Sequence, residues 1–431
     1  MTRTPTRTPS RFTGSRPAHL ARRTLVALAA WSALALPAAQ AAPDAALLAA
    51  ARGAQPAVMQ TLREMVAIES GTMDAPGLAR MTDYAEKRLR ALGGQVERKP
   101  ATAGHSELLS ARFTGTGQRK LMLMAHLDTI YWPGELTKSP IKEENGRLYG
   151  PGIADDKGGV AMILHGLEIL RAQGWKDYAQ ITVLFNGDEE SGSPGSGEAI
   201  AALADQHDVV LSFEPTTAQD PGVLLAAAGV GEILMKVKGR ASHAGAAPQL
   251  GRNAALELSH QMLATADIAK GIPGAQLNWT TMKSGNVRNQ IPDSAEAGAD
   301  VRLTRPDAAE KLLAAVQAKV AEGQRVPDTE VSVALRVGRP PFVGGPRTQA
   351  LAERARAIAA ELGDGKPLGI HPLTGGGTDA GFANRSGKAV VLESLGLPGW
   401  GYHAKDEYIQ IDQIVPRLYL VTRLITELGK N

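Results

Sequence analysis

His126 and Asp128 close the apolar run KLMLMAHL (Lys120 to Leu127) at i and i+2, so a strand there would turn both side chains to one face. Asp155-Asp156-Lys157-Gly158 opens a helical pattern after a loop containing Gly and Pro. Asp188-Glu189-Glu190 follows ITVLFN (Ile181 to Asn186), Glu214 follows VVLSF (Val209 to Phe213), and His403 comes much later, in GYHAKDEY. All four clusters are expected just past the carboxyl end of a strand, the edge at which open α/β sheets bind ligands. A solvated loop carboxylate is the ordinary reading of any one of them. The set together with His403 favours one or two divalent metal ions. The chain has no cysteine, which excludes disulfides, thiolate metal sites and a cysteine nucleophile.

Holding such residues takes alternating strands and helices. Helical patterns run from Pro43 to Arg63, Gly77 to Leu92, Gly158 to Ala172 and Gly197 to Ala204. With the near-continuous apolar strands they predict an α/β fold, a mostly parallel sheet with helices on both faces. From about Gly231 the order becomes strand (Ile233 to Lys238), helix (Asn253 to Ala264), strand (Leu277 to Lys283), strand (Glu296 to Leu303), helix (Pro306 to Ala321), strand (Glu330 to Val337). This βαββαβ run predicts an inserted ferredoxin-like α+β domain. The first style returns with a helix, a strand from Ala389 to Leu392 and a last helix from Val415 to Leu428. The expected division is 1–41 as a leader, 42–230 and 344–431 as two parts of the large domain, and 231–343 as the insert.

In the leader, Arg3, Arg7, Arg11, Arg16, Arg22 and Arg23 precede an apolar stretch from Leu25 to Leu36 and then Ala39-Gln40-Ala41. This reads as an export signal cleaved after Ala41, too short for a stable anchor, with Arg22-Arg23 leaving the twin-arginine route open. The whole chain has 47 Lys and Arg against 44 Asp and Glu; without those six arginines 41 remain against 44. The alkaline character therefore belongs to the leader and gives no reason to expect a nucleic-acid partner.

MAHLDT (Met124 to Thr129), GPGIADDKGG (Gly150 to Gly159), FNGDEESGS (Phe185 to Ser193), SFEPT (Ser212 to Thr216), GRASHAG (Gly239 to Gly245), TGGGTDA (Thr374 to Ala380) and GYHAKDEY (Gly401 to Tyr408) follow one another along the chain. In content and order they resemble the co-catalytic dizinc peptidases and deacylases that include acetylornithine deacetylase, aminoacylase and glutamate carboxypeptidase. ASHAGAAP, SFEPT and ESLGLPG (Glu393 to Gly399) are most similar to the exported glutamate carboxypeptidase branch. The resemblance implies two zinc ions per subunit, with cobalt or manganese as alternatives. It makes Asp155 the bridging ligand, with His126 and Glu214 completing one metal and Glu190 and His403 the other. It also implies Glu189 as general base, Asp128 as the group orienting the His126 ring, and a cis peptide between Asp155 and Asp156. The implied activity is hydrolysis of the amide bond to a C-terminal amino acid, preferably glutamate, in N-acyl or peptidyl substrates including folate-like compounds. An N-acyl-amino-acid deacylase or dipeptidase is the alternative. A solute-binding protein of similar build is a competing class, against which Glu189-Glu190 argues, since capture needs no base beside a metal ligand.

Asn289, Arg302 and Arg339 lie in segments resembling the family's GNVxN, ADVR and GRPxF, which implies contacts with the substrate carboxylate; Arg can hold a carboxylate bidentately. Gly375 and Gly376 are expected to bring backbone close to substrate. PTTAQDPGVLL (Pro215 to Leu225) has no Lys or Arg, whereas the resemblance leads one to expect a base near Gly222, so a neutral substrate side chain stays open. By the same resemblance His243 reaches the scissile carbonyl of the other subunit in a homodimer formed through the insert, with hinges near Gly229 to Gly231 and Gly344-Gly345. His165, within an apolar helix pattern, reads as packed. Neither HExxH, GxSxG nor a P-loop occurs. The expected partners are a small or peptide substrate with a free carboxylate and a second copy of the chain, with no nucleic acid and no stable membrane insertion.

Overall fold

The computed structural model describes residues 42–100, 106–363 and 367–430; the expected export signal at 1–41 lies outside them. The strands Lys120–His126, Gln180–Asn186, Val209–Ser212 and Val390–Leu392 lie parallel in a six-stranded sheet, with the antiparallel strands Glu107–Thr114 and Gln95–Pro100 extending one side. Alternation explains why KLMLMAH is apolar throughout. Leu121 and Leu123 turn into one core with Leu62, Met65, Ile163 and Val421, while Met122 and Met124 turn into another with Leu184, Val210 and Ile200. The two antiparallel strands were not expected. QVERKP is exposed along most of its length, so its charged residues conceal the strand from an apolar count.

The helices Ala45–Val66, Lys157–Ala172 and Ile414–Gly429 pack together on the first of these cores. Asp44 caps the first helix by accepting from the Ala46 and Leu47 amides at 3.0 Å each. His165 is buried as a packed residue, with Nε2 2.9 Å from Thr61 Oγ1 and Nδ1 2.7 Å from Glu168. Burial works to raise the Glu168 pKa, but hydrogen bonds from His165 and Arg88 outweigh it and hold the carboxyl at about 2. No helix among the described residues is long and apolar enough to cross a membrane.

Gly229–Lys238, Ala275–Ser284, Ser294–Leu303 and Glu330–Arg339 form a separate four-stranded sheet, antiparallel throughout. Its order is Ala275–Ser284, Ser294–Leu303, Gly229–Lys238, Glu330–Arg339. The helices Ala254–Thr265 and Ala308–Ala321 cover one face, where Ile233, Met235, Val237 and Val301 meet Leu258, Leu312 and Val316. Period two then turns Val230, Glu232, Asp300 and Arg302 to the opposite face.

Candidate metal centre

The strands Lys120–His126, Gln180–Asn186 and Val209–Ser212 end at one sheet edge, and Leu127 and Phe213 keep the chain in register there by donating to the Asn186 and Met124 carbonyls at 2.7 and 2.9 Å. His126, Glu189, Glu190 and Glu214 follow from these ends. Asp155 precedes the helix Lys157–Ala172, whose cap Asp156 accepts from the Gly159 amide at 3.1 Å. The peptide between Asp155 and Asp156 is cis. His403 has φ +62°, a left-handed conformation that costs a non-glycine residue on the order of 1 kcal/mol.

Asp155 lies between the two histidines. Its Oδ1 is 3.0 Å from His126 Nε2 and its Oδ2 is 3.4 Å from His403 Nε2. Glu214 stands 3.8 Å from His126, and Glu190 stands 3.1 Å from His403. Donor atoms of His126, Glu189 and Glu214 lie within 4.8 Å of one another, and so do those of Asp155, Glu190 and His403.

Asp128 is fully buried behind this cluster. Its Oδ1 accepts from the Glu189 amide and its Oδ2 from the Glu190 amide, both at 3.1 Å, and Thr72 donates to Oδ2 at 2.8 Å. His126 Nδ1 lies 3.3 Å from Asp128 Oδ1 and 3.1 Å from the Asp128 carbonyl, so one residue fixes both the His126 ring and the Glu189-Glu190 turn.

The charges show why such a cluster suits a cation. Burial pushes the carboxyls of Glu189, Glu190 and Glu214 up, with Arg339 and His126 opposing this at Glu189 and His403 opposing it at Glu190. His403 is pushed up to about 10 by its bonds to Asp155 and Glu190. Burial works to lower His126, but Asp128 and Asp155 outweigh it and raise it well above its ordinary value. Burial works to raise Asp155 too, but His126 and His403 outweigh it and hold that carboxyl below its ordinary value. The three raised glutamates and the two imidazoles thus hold protons that divalent ions would displace. Carboxylate and imidazole donors without thiolate suit zinc and its neighbours, so these residues fit such ions. Glu189 differs from the others, because its Oε1 already pairs with Arg339 Nη1 at 2.8 Å.

The profile of Peptidase family M20/M25/M40 matches residues 122–427. The chain belongs to that family. It is 45% identical over 388 residues to Carboxypeptidase G2 of Pseudomonas sp. (strain RS-16), covering 90% of this chain and 92% of that protein. To the acetylornithine deacetylase of Myxococcus xanthus it is 26% identical, covering 79% and 94%. Among solved structures, the M20 family metallo-carboxypeptidase Sso-CP2 from Sulfolobus solfataricus aligns with a TM-score of 0.69 at 17% identity, covering 86% of this chain and 99% of that one, a likeness of fold.

In this M20 peptidase the metal candidates other than the buried His126 open onto a cavity of about 890 Å³ between the two sheets. Asp155, Glu189, Glu190, Glu214 and His403 line it, together with Arg302, Arg339 and Gly376. Gly375 does not line it. Arg302 is held bidentately by Asp300, at 2.9 and 3.0 Å. Arg339, expected as a substrate-facing cation, borders the cavity and is 6% exposed. Besides Glu189 Oε1 it bonds the Glu189 carbonyl and, at 2.8 Å, the Gly377 carbonyl, with Asp379 3.8 Å away. His243 and Asn289 do not line the cavity. Their segments pair instead: Ser242–His243 runs beside Gln290–Ile291, and the Ala244 amide donates to the Asn289 carbonyl at 2.9 Å.

Glu407 is a site residue that sequence reasoning missed, although its letter stands in GYHAKDEY. It accepts from the amides of Gly152, Ala154 and Asp155 at 2.9, 2.9 and 3.0 Å. These bonds tie the Asp155 loop to the His403 loop, and Tyr131 OH steadies the latter at 2.9 Å from Glu407 and 2.8 Å from the Ala404 carbonyl. Burial, with Asp155 nearby, pushes Glu407 up to about 7.

Proposed function

We propose that the chain is a dizinc carboxypeptidase that hydrolyses the amide bond to a C-terminal amino acid, preferably glutamate, in N-acyl or peptidyl substrates, folate-like compounds among them. What supports this most is Asp155, whose two oxygens face different histidines, each with its own glutamate, as a ligand shared by two ions would. His126, Asp155 and Glu214 would hold one ion, and Asp155, Glu190 and His403 the other. The chemistry such ions supply when bound is polarisation of the scissile carbonyl and acidification of the attacking water.

Glu189 then acts on protons. Its carboxylate takes a proton from the water as the oxygen attacks the amide carbon, and it passes that proton to the departing amine nitrogen as the C–N bond breaks. Arg339 holds Glu189 in place and offsets its charge. Arg302 and Gly376 border the space for the substrate carboxylate. The preference is read from rates on one acyl group carrying glutamate, leucine or alanine: glutamate is expected to exceed the other two by at least about tenfold, a hydrogen bond to a charged group being worth about 1.5–3 kcal/mol. Equal rates on all three overturn the preference and favour a general N-acyl-amino-acid deacylase.

The same reading makes residues 231–343 a lid and dimerisation domain and the enzyme a homodimer working after export, with 1–41 removed. Leu256 and Leu263 on the Ala254–Thr265 helix are 59% and 81% exposed, and the outer strand Ala275–Ser284 has a single neighbour among the described strands of its sheet. An apolar face beside an unpaired strand edge suits an isologous contact. His243 and Asn289, remote from the cavity of their own chain, then serve the partner's. Losing a donor to the developing oxyanion costs about a hundredfold in rate. A mixed dimer of one Glu189→Gln and one His243→Ala subunit should recover one working site. Verified heterodimers without recovered activity would refute action in trans.

A further inference from the structure

Three guanidinium groups border the 890 Å³ cavity, and two are already neutralised: Arg339 by Glu189 and Arg302 by Asp300. The third is Arg336, whose guanidinium makes no hydrogen bond or ion pair with any described residue. It lies on the strand Glu330–Arg339, directly opposite Glu232 on Gly229–Lys238. Glu232 does not reach back to it. Its Oε1 leans the other way, to within 3.1 Å of where a side chain on Gly298 would begin, on the neighbouring strand Ser294–Leu303. Gly298 thus gives the Glu232 carboxylate room on the far side and leaves Arg336 uncompensated. The wall from Pro215 to Leu225 contains no Lys or Arg that could serve instead.

We propose that Arg336 is the specificity-determining residue that binds the side-chain carboxylate of an acidic C-terminal residue. This rests on the reading of the cavity as a C-terminal amide hydrolase site. Arg302 and Arg336 stand on strands either side of Gly229–Lys238, opposite Val230 and Glu232, so two inter-strand spacings near 4.8 Å and a two-residue offset along the strand put about 12 Å between their backbones. Two long side chains converging across that gap can hold the two carboxylates of one dicarboxylic residue. A guanidinium with no internal partner binds a carboxylate in fork geometry without first breaking an ion pair.

The test compares the metal-loaded wild type, Arg336→Ala and Arg336→Lys on one acyl group carrying C-terminal glutamate or its neutral isostere glutamine. The ratio of kcat/KM for glutamate over glutamine should fall at least tenfold in the alanine variant, carried by KM, and partly recover in the lysine variant. An unchanged ratio, or equal losses on both substrates, overturns the proposal and leaves the amide hydrolase reading intact. Calorimetric binding of free glutamate and free glutamine is independent of turnover. Loss of the glutamate preference in Arg336→Ala supports the assignment, and identical preferences in wild type and variant refute it even if no conjugate is cleaved, the result that would remove the hydrolase reading itself.

Discussion

Glu189→Gln is expected to lower kcat by about a hundred- to ten-thousandfold, the range for removing a positioned general base, while leaving metal content and fold unchanged. Glutamine matches glutamate in shape, and its amide oxygen can still face Arg339, whose Nη1 pairs with the acid at 2.8 Å. The turn stays anchored because Asp128 binds the backbone amides of residues 189 and 190, which the substitution does not touch. Only the capacity to take a proton is lost. Turnover of an N-acylglutamate, metal analysis and a thermal melt on the same preparation check this. A variant turning over at the wild-type rate removes Glu189 from the chemistry; one that has lost its metals makes it a ligand.

Complete removal of the metals should abolish activity and also destabilise the fold. Without cations the carboxylates of Asp155, Glu189, Glu190 and Glu214 share a closed space with only His126, His403 and Arg339 to offset them. A ligand present at a thousand times its Kd contributes about 4 kcal/mol to the folded state, so chelation should lower the melting temperature by several degrees. The Lys157–Ala172 helix and the loop before it, which Glu407 gathers through three amides, form the region where loosening is expected first.

Where a run is buried on both faces, the sequence and the observed element agree within a residue or two. The expected strand Lys120 to Leu127 is Lys120–His126, and the expected helices Gly158 to Ala172 and Val415 to Leu428 are Lys157–Ala172 and Ile414–Gly429. Burial forces apolar residues into those segments, and the punctuation between them is Gly and Asp. The half-exposed strands Gln95–Pro100 and Glu107–Thr114 carry no such constraint and were missed. The clusters at His126, Glu189-Glu190 and Glu214 were visible because they follow strand ends, and Asp155 because it opens a helix. Their partners were not: Glu407 acts on amides some 250 residues away, and nothing local distinguishes Arg339, engaged by Glu189, from Arg336, which is unpaired. Pairing across that distance is a property of the fold, not of any short segment.

The most direct measurement titrates the metal-free protein with zinc while following both hydrolysis of an N-acylglutamate and bound metal per chain. Activity should be absent at the start, rise with zinc and level off at two ions per chain. Hydrolysis that persists after verified complete metal removal, or full activity with no ion bound, would contradict the account.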